Sequence, residues 1–225
     1  MLYTKETVRD NIRNRDGQRV FYLGKGDQLT SDARDFLTRE RIAILPATQA
    51  KSERYRLLGG GYMEEKPEHM THLNGDTLVP KTHPRILFRG AVDTLEAELL
   101  LCCADATGII RGQLEEALGY TRNLLRCEVL EEPVREEKLG NMDQKELRAR
   151  SHRPQDFYGQ PHFMPQPDDG RFLLQVNKAR CAARATELTA AAAFSHTRED
   201  LIRAFNRLSS FLYLVMIQLK VSSKE

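Results

Sequence analysis

Apolar residues recur at helical spacing from about residue 85 onward, and only in patches before it. DTLEAELLLCCADA (93–106) opens on Asp93 as a cap and is apolar nearly all round, which predicts a central helix. RGQLEEALGYTRNLLRCEVL (111–130) is amphipathic and stops before Pro133, and MDQKELRAR (142–150) predicts a short helix capped by Asp143. RFLLQVNKARCAARATELTAAAAF (171–194) and REDLIRAFNRLSSFLYLVMIQLK (198–220) predict two long helices joined by a tight turn at Ser195–Thr197. Strand signals are weak throughout. The pattern therefore predicts an all-α chain, a helical bundle with short connections.

Residues 1–50 read as a small separate element. Within it LTSDARDFLTRERIAI (29–44) predicts a helix with Thr30 or Ser31 as cap and Ala33, Phe36 and Leu37 on one face. KSERYRLLGGGYMEEKPEH (51–69), with three consecutive glycines and Pro67, predicts a linker or mobile loop. The domain division is then an N-terminal extension over 1–68 and a bundle over 69–225.

The chain has 225 residues, long enough for one good-sized core and a small appendage. A formal charge of +2 with no long basic block argues against nucleic acid as a partner. The N-terminal stretch is charged throughout and is not a secretory signal. LSSFLYLVMIQL (208–219) is the longest uncharged apolar run, well short of the ~20 residues that span a bilayer, so no membrane segment is expected. Cys102, Cys103, Cys127 and Cys181 show no CxxC spacing and read as buried free thiols of a reducing, cytoplasmic setting.

Polar residues break the helical pattern in two places. Asn177, Arg180, Arg184 and Glu187 lie along one stripe of the first long helix, beside small residues that let helices approach closely. Arg203, Asn206, Arg207 and Ser210 repeat the arrangement on the next helix. Taken alone, either stripe reads as an exposed, salt-bridged face. On adjacent antiparallel helices the two would form a cationic crevice, and guanidinium forks match phosphate oxygens. The segment 71–97 adds an Asn74-Gly75-Asp76 turn followed by Lys81 and Arg85, a candidate phosphate loop that fits neither GxxxxGK[ST] nor GxGxxG. Finally, SHRPQDFYGQPHFMPQPDDG (151–170) carries four prolines with Phe157, Tyr158, Phe163, His152 and His162, more rings and stiffer backbone than a flexible connection needs.

Three of these segments, in order, resemble the PduO-type ATP:cob(I)alamin adenosyltransferases. KTHPRILFRGAVDTLEA (81–97) is similar to the start of that family's core, through Lys81, Pro84-Arg85, Gly90, Val92-Asp93 and Leu95. ARCAARATEL (179–188) resembles its Arg-rich ATP helix, and FNRLSSFLYLVM (205–216) its Leu-Asn-Arg-Leu-Ser-Asp segment. The N-terminal 29–44 element, KPEHMTHL and SHRPQDFYGQPHFMP are closer still to the ethanolamine-utilisation (EutT-type) branch. The resemblance implies a five-helix bundle, trimeric in PduO-type members with sites between subunits. The activity implied is transfer of the 5′-deoxyadenosyl group of ATP to the cobalt of cobalamin, with release of triphosphate. Thr71, Asn74, Gly75, Asp76, Lys81 and Arg85 would cradle the triphosphate with Mg²⁺. Arg180 would pair with Asp93 across an interface, and Arg184, Glu187, Asn206 and Arg207 would contact ATP. Phe163 would displace the lower axial ligand of cobalt, with Phe157, Tyr158 and His162 lining the corrinoid side. Implied partners are a reductase, ethanolamine ammonia-lyase and further copies of the chain. The implied location is the cytoplasm, in association with the ethanolamine microcompartment.

The chain departs from the family pattern at Ser210, where Asp is usual, and at Ala185 and Leu188, where Arg is usual. Its phosphate loop is shorter and lacks a second glycine. Some EutT-type enzymes carry a Cys-Cys-x-x-Cys cluster where this chain has Lys81, Thr82 and Arg85, so no Fe or Zn cluster is expected. Two other readings stand beside the enzyme: a non-catalytic corrinoid- or nucleotide-binding protein, and a helical interaction module whose arginines form salt bridges only.

Overall fold

Short strands fill the stretch that the glycine run predicts to be a linker. The computed structural model describes residues 1–15, 18–47, 55–135 and 138–223. These divide into one unit of Met1–Pro67 with Asp76–Leu78 and a second of Glu68–Gly75 with Val79–Glu225. The first unit runs β1 (Leu2–Tyr3), α1 (Lys5–Asp10), β2 (Arg13–Arg15), β3 (Gln18–Leu23), β4 (Gln28–Leu29), α2 (Ser31–Arg39), β5 (Ala43–Pro46), β6 (Tyr55–Leu57) and β7 (Tyr62–Met63). Strand β3 pairs antiparallel with β2 and parallel with β5, Val20 opposite Ala43. Val8, Phe21, Ala33, Leu37 and Ile42 make its core.

Two expectations for this unit need correction. Thr30 caps α2 through its hydroxyl, but the helix ends at Arg39 and Arg41 takes a left-handed φ of 52°, so Ala43–Pro46 becomes a strand. The triple glycine is a hairpin turn between β6 and β7: Gly60 N–H donates to the Leu57 carbonyl, and Leu57 N–H to the Gly61 carbonyl. Gly60 and Gly61, at φ of 97° and 87°, supply backbone shapes that side chains disfavour. Residues 51–54 of the predicted linker lie outside the described residues.

The second unit opens with β8 (Met70–Asn74); the Gly75-Asp76 turn leads into β9 (Thr77–Pro80), of which Thr77 and Leu78 are counted with the first unit and Val79 and Pro80 with the second. Helix α3 (Pro84–Asp105) follows at once. His83 accepts the Arg85 N–H (3.2 Å), and Pro84 at the first helical position has no N–H to leave unpaired. Asp93 is therefore a mid-helix, exposed residue and not a cap. Then come α4 (Gly108–Val129), α5 (Gln144–His152), α6 (Pro154–Tyr158), a 3-10 turn at Pro167–Asp169, α7 (Arg171–Phe194) and α8 (Glu199–Ser222). The Asp143 carboxylate accepts the Glu146 N–H at 2.8 Å, a bond that holds its carboxyl below the usual range.

The four long helices, 22 to 24 residues each, are about 33–36 Å long. Helices α3 and α7 run antiparallel: Phe88 meets Phe194 edge-on (5.3 Å), Thr186 Oγ1 donates to the Ala91 carbonyl (3.2 Å), and Lys178 pairs with Glu98 (2.7 Å). Buried Ala179, Ala183 and Ala190 keep α7 slim enough for close approach. Phe88, Leu95, Leu99, Leu114, Leu124, Phe205 and Phe211 fill the centre, each contributing roughly 1.5–3 kcal/mol by burial. Mostly helical architecture is thus what the second half of the chain dictates. Cys102, Cys103 and Cys127 are buried, and burial pushes the Cys102 thiol up to about 12. Cys181 is exposed, contrary to expectation, because it lies on the outer face of α7 with Lys178, Ala185 and Leu188.

One carboxylate organises the α3–α4 end. The Glu128 side chain has no exposure, and it accepts Arg85 Nε at 2.6 Å and Arg89 Nε at 2.7 Å. Glu128 sits next to the C-terminus of α4, where the helix dipole disfavours an anion, so the two guanidiniums offset both that and the loss of water. Arg89 also donates to the Leu73 carbonyl (2.8 Å), which ties β8 to α3. Glu128→Ala leaves the mostly buried Arg89 without a carboxylate and Arg85 with the exposed Glu131 alone, and should lower unfolding free energy by about 3–5 kcal/mol in urea titrations. Glu128→Gln, which keeps an acceptor oxygen, should cost less.

Candidate functional site

The polar stripes of α7 and α8 face each other across a groove. At one end Asn206 Nδ2 donates to Glu187 Oε1 (2.9 Å). Toward the N-terminus of α7 the groove opens into a cavity of about 280 Å³. Arg180 and Arg184 of α7 line it, with Ser209, Ser210 and Tyr213 of α8, Ser151 and His152 of α5, and His162 from the following loop. Asn177 Oδ1 accepts both Nε (3.0 Å) and NH2 (2.9 Å) of Arg180, which aims the guanidinium while leaving its charge unneutralised. Both serine hydroxyls donate to the Asn206 carbonyl. Arg207 flanks the groove. Its Nε is buried without a hydrogen-bond partner. Burial, then the charges of Arg148 and Arg203, push the Arg207 guanidinium below its ordinary range, with only Glu187 acting the other way.

The ring-rich loop packs onto α8. Phe163 stacks on Tyr213 with centroids 6.0 Å apart, and the Lys220 ammonium lies 5.8 Å from its centroid. Lys220 is in turn held by Asp169, whose carboxyl it keeps below the usual range. Asp169 also accepts the Gln166 N–H (2.8 Å), so it closes the turn before α7 and does not cap that helix; Gly170 begins it without a side-chain cap. His162 stacks on Tyr213 as well (5.7 Å). Tyr158 packs against the core, whereas Phe157 is 45% exposed with the Arg150 guanidinium 5.5 Å from its centroid.

The phosphate-loop candidates lie elsewhere on the chain. Thr71 and Asn74 belong to β8, and Gly75 takes φ 50° in the exposed turn with Asp76. His72 Nδ1 donates to the Gly75 carbonyl (3.0 Å), which fixes its tautomer. Lys81 is exposed and pairs with Glu68 (2.6 Å). Arg85 is engaged by Glu128 and Glu131 and lies over the Phe194 ring, at the far end of α7 from the cavity. Asp93 is exposed on α3, and within one chain the Arg180 fork meets Asn177. Among the described residues no group of three or more His, Cys, Asp or Glu side chains is placed to hold a metal ion. His83 serves as the α3 cap.

The sequence profile of the cobalamin adenosyltransferases matches residues 61–219. The chain belongs to that family. Among curated family members, corrinoid adenosyltransferase EutT of Salmonella typhimurium (strain LT2) is 30% identical over 158 residues. The same-named protein of Escherichia coli K12 is 29% identical over 158 residues. Each match covers 68% of this chain and 59% of the relative, so the chain spans less than two thirds of the length of these relatives.

The family match runs across both the Asn74-Gly75-Asp76 turn and the cavity. Three residues of the cavity region carry no signal of their own in the sequence. Tyr213 is embedded in the apolar run FLYLVM, Ser151 sits at a helix end, and Ser209 is one of a common serine pair. No helix is long and apolar enough to cross a membrane among the described residues.

The cap that starts α3 should titrate. Burial, followed by the Arg85 and Arg89 charges, holds the His83 imidazole below its ordinary value near 6.5. The unfolded chain then binds this proton more readily, so the stability contribution is present above 6.5 and is lost as pH falls from 6.5 toward the folded value. Thermal melts from about pH 7.5 to about pH 5 should show a decline that His83→Asn, a cap that does not titrate, makes shallower.

Proposed function

We propose that this protein transfers the 5′-deoxyadenosyl group of ATP to the cobalt of a reduced corrinoid and releases triphosphate. The observation that carries the reading is that Arg180 and Arg184 share one cavity with His162, next to the loop that presents Phe163. Family membership supplies the corrinoid and the fold. The reaction needs a one-electron donor, supplied by a reductase, that brings cobalt to Co(I). The cobalt electron pair then forms the bond to C5′, the C5′–O bond breaks, and triphosphate leaves with the bonding pair. Co(I) is nucleophilic enough to need no general base. The protein's work is to orient the substrates, exclude water and stabilise the departing charge.

The residues suit those tasks. Arg184 makes no ion pair among the described residues and opens on the cavity, so its charge is available to phosphate. Arg207, desolvated with an unpaired Nε, is short of an anion in the same groove. Glu187 and Asn206, already bonded to each other, form a polar end suited to the ribose or base. Mg²⁺ enters as the ATP complex and screens the phosphate charge; Asp76, on its exposed turn, is the carboxylate of the hairpin nearest in sequence to Lys81. Phe163, stiffened by Pro161 and Pro165, offers an apolar ring to the lower face of the corrinoid. Removing the axial ligand there lowers the energy of the orbital that accepts the electron.

Self-association belongs to the same proposal. Leu87, Leu101 and Leu188 are 55%, 54% and 68% exposed on α3 and α7, the two helices that carry Asp93 and Arg184. A second copy covering that face would bring another chain's Asp93 and hairpin toward Arg180. Ethanolamine ammonia-lyase as consumer of the product, and a cytoplasmic location with the microcompartment, follow from the EutT-type resemblance.

Anaerobic incubation with ATP, cob(II)alamin and a reductant should give the spectrum of adenosylcobalamin with one triphosphate per turnover. Arg184→Ala should raise the KM for ATP by about ten- to a hundredfold, the loss of one charge-assisted contact of 1.5–3 kcal/mol. Phe163→Ala should mainly lower kcat with cobalamin. Wild-type turnover in both variants would overturn these assignments. Light scattering should give a mass above that of one 25.8 kDa chain, reduced in Leu188→Glu.

A further inference from the structure

We propose that Tyr213 is the positioning residue that sets the Phe163 ring against the corrinoid, acting through a single phenolic oxygen. The inference rests on the adenosyl-transfer reading and extends it to a residue to which the family resemblance described above gives no role.

Residues 161–165 make no backbone–backbone hydrogen bond among the described residues, and two of them are prolines without an N–H. A segment with so little backbone anchoring is held by side chains or not at all. The Phe163 N–H donates to Tyr213 Oη at 3.1 Å. The same oxygen lies 3.2 Å from His162 Nδ1, and His162 Nε2 lies 3.2 Å from the His152 carbonyl. One assignment satisfies every group. A carbonyl only accepts, so Nε2 carries the proton; Nδ1 then accepts from the phenol, which itself accepts from Phe163. The chain of bonds runs from the end of α5 through His162 to α8 and ends on the residue that carries the ring. Tyr213 also stacks on both rings, so its hydroxyl fixes the backbone while its face limits their tilt. It lines the same cavity as Arg180 and Arg184, which places the anchor beside the arginines of the proposed site.

This arrangement matters for one step only. Displacing an axial base demands that the ring occupy a narrow position under the cobalt; a corrinoid without that base makes no such demand. Cobinamide, which lacks the nucleotide base, therefore separates positioning from general folding. Tyr213→Phe removes one oxygen and keeps both stacks. It should lower kcat/KM with cob(II)alamin about ten- to a hundredfold, the effect of a small misplacement near the reacting centre, while activity with cob(II)inamide falls much less. The EPR spectrum of cob(II)alamin bound with ATP should keep its axial nitrogen splitting in Tyr213→Phe and lose it in the wild type. In a Phe163→Ala background the substitution should add nothing further to the cobalamin-to-cobinamide ratio, because Tyr213 acts through Phe163. Equal losses on both corrinoids, or full additivity with Phe163→Ala, would overturn the positioning role. A wild-type protein that adenosylates neither corrinoid would overturn the underlying reading instead.

Discussion

Glu128 has no contact with water, and much of the bundle's geometry follows from that. An ionised carboxylate in the interior needs cations and donors at short range, and Arg85 and Arg89 supply them. Both arginines come from the first turns of α3, so the start of α3 is locked to the end of α4, and Arg89 carries the lock on to the Leu73 carbonyl of β8. Arg85 lies over Phe194, which sits at the C-terminal end of α7. Arg184, on the cavity, is ten residues earlier, about 15 Å along the helix axis. The clamp thus holds Arg85 and Leu73 at one end of the helix pair while the cavity forms toward the other. This separation is the reason the proposed reaction calls on a second chain to complete the site.

The sequence is most informative where packing repeats. The long helices α7 and α8, expected at 171–194 and 198–220, were legible because apolar residues return every three or four positions and polar ones keep to single stripes. The start of α3 was not, because the Asp that looked like a cap stands mid-helix and the true cap is a histidine before a proline, a less common choice. The strands of the first unit escaped for a different reason. Each has two to six residues, too few for alternation to rise above noise, and the glycines that signal a linker also suit a hairpin with positive φ.

The site divides in the same way. Arginine stripes are visible from spacing, since residues three and four apart share a helix face, and the structure joins them into one groove. What each arginine meets is not visible, because partners come from distant positions: Arg85 and Glu128 are 43 residues apart. Tyr213 is the sharper case. Within FLYLVM it reads as one more core residue, and its hydroxyl gains meaning only when a loop 50 residues earlier folds over α8.

Glu128, fully buried, and Arg207, partly buried with its Nε shielded, then pose the same physical problem with opposite outcomes. Glu128 is matched by two guanidiniums and contributes rigidity. Arg207 has an orphan Nε, two like charges nearby and one carboxylate already bonded to Asn206. Left so, it costs the fold stability, since an unmatched polar group away from water is among the more expensive defects a protein can carry. In the proposed reaction a phosphate between Arg184 and Arg207 would supply the missing partner. Departures from good packing gather where a ligand can correct them. Arg207 is the candidate for such a place, and its contrast with Glu128 separates a charge that the fold matches internally from one whose Nε it leaves without a partner.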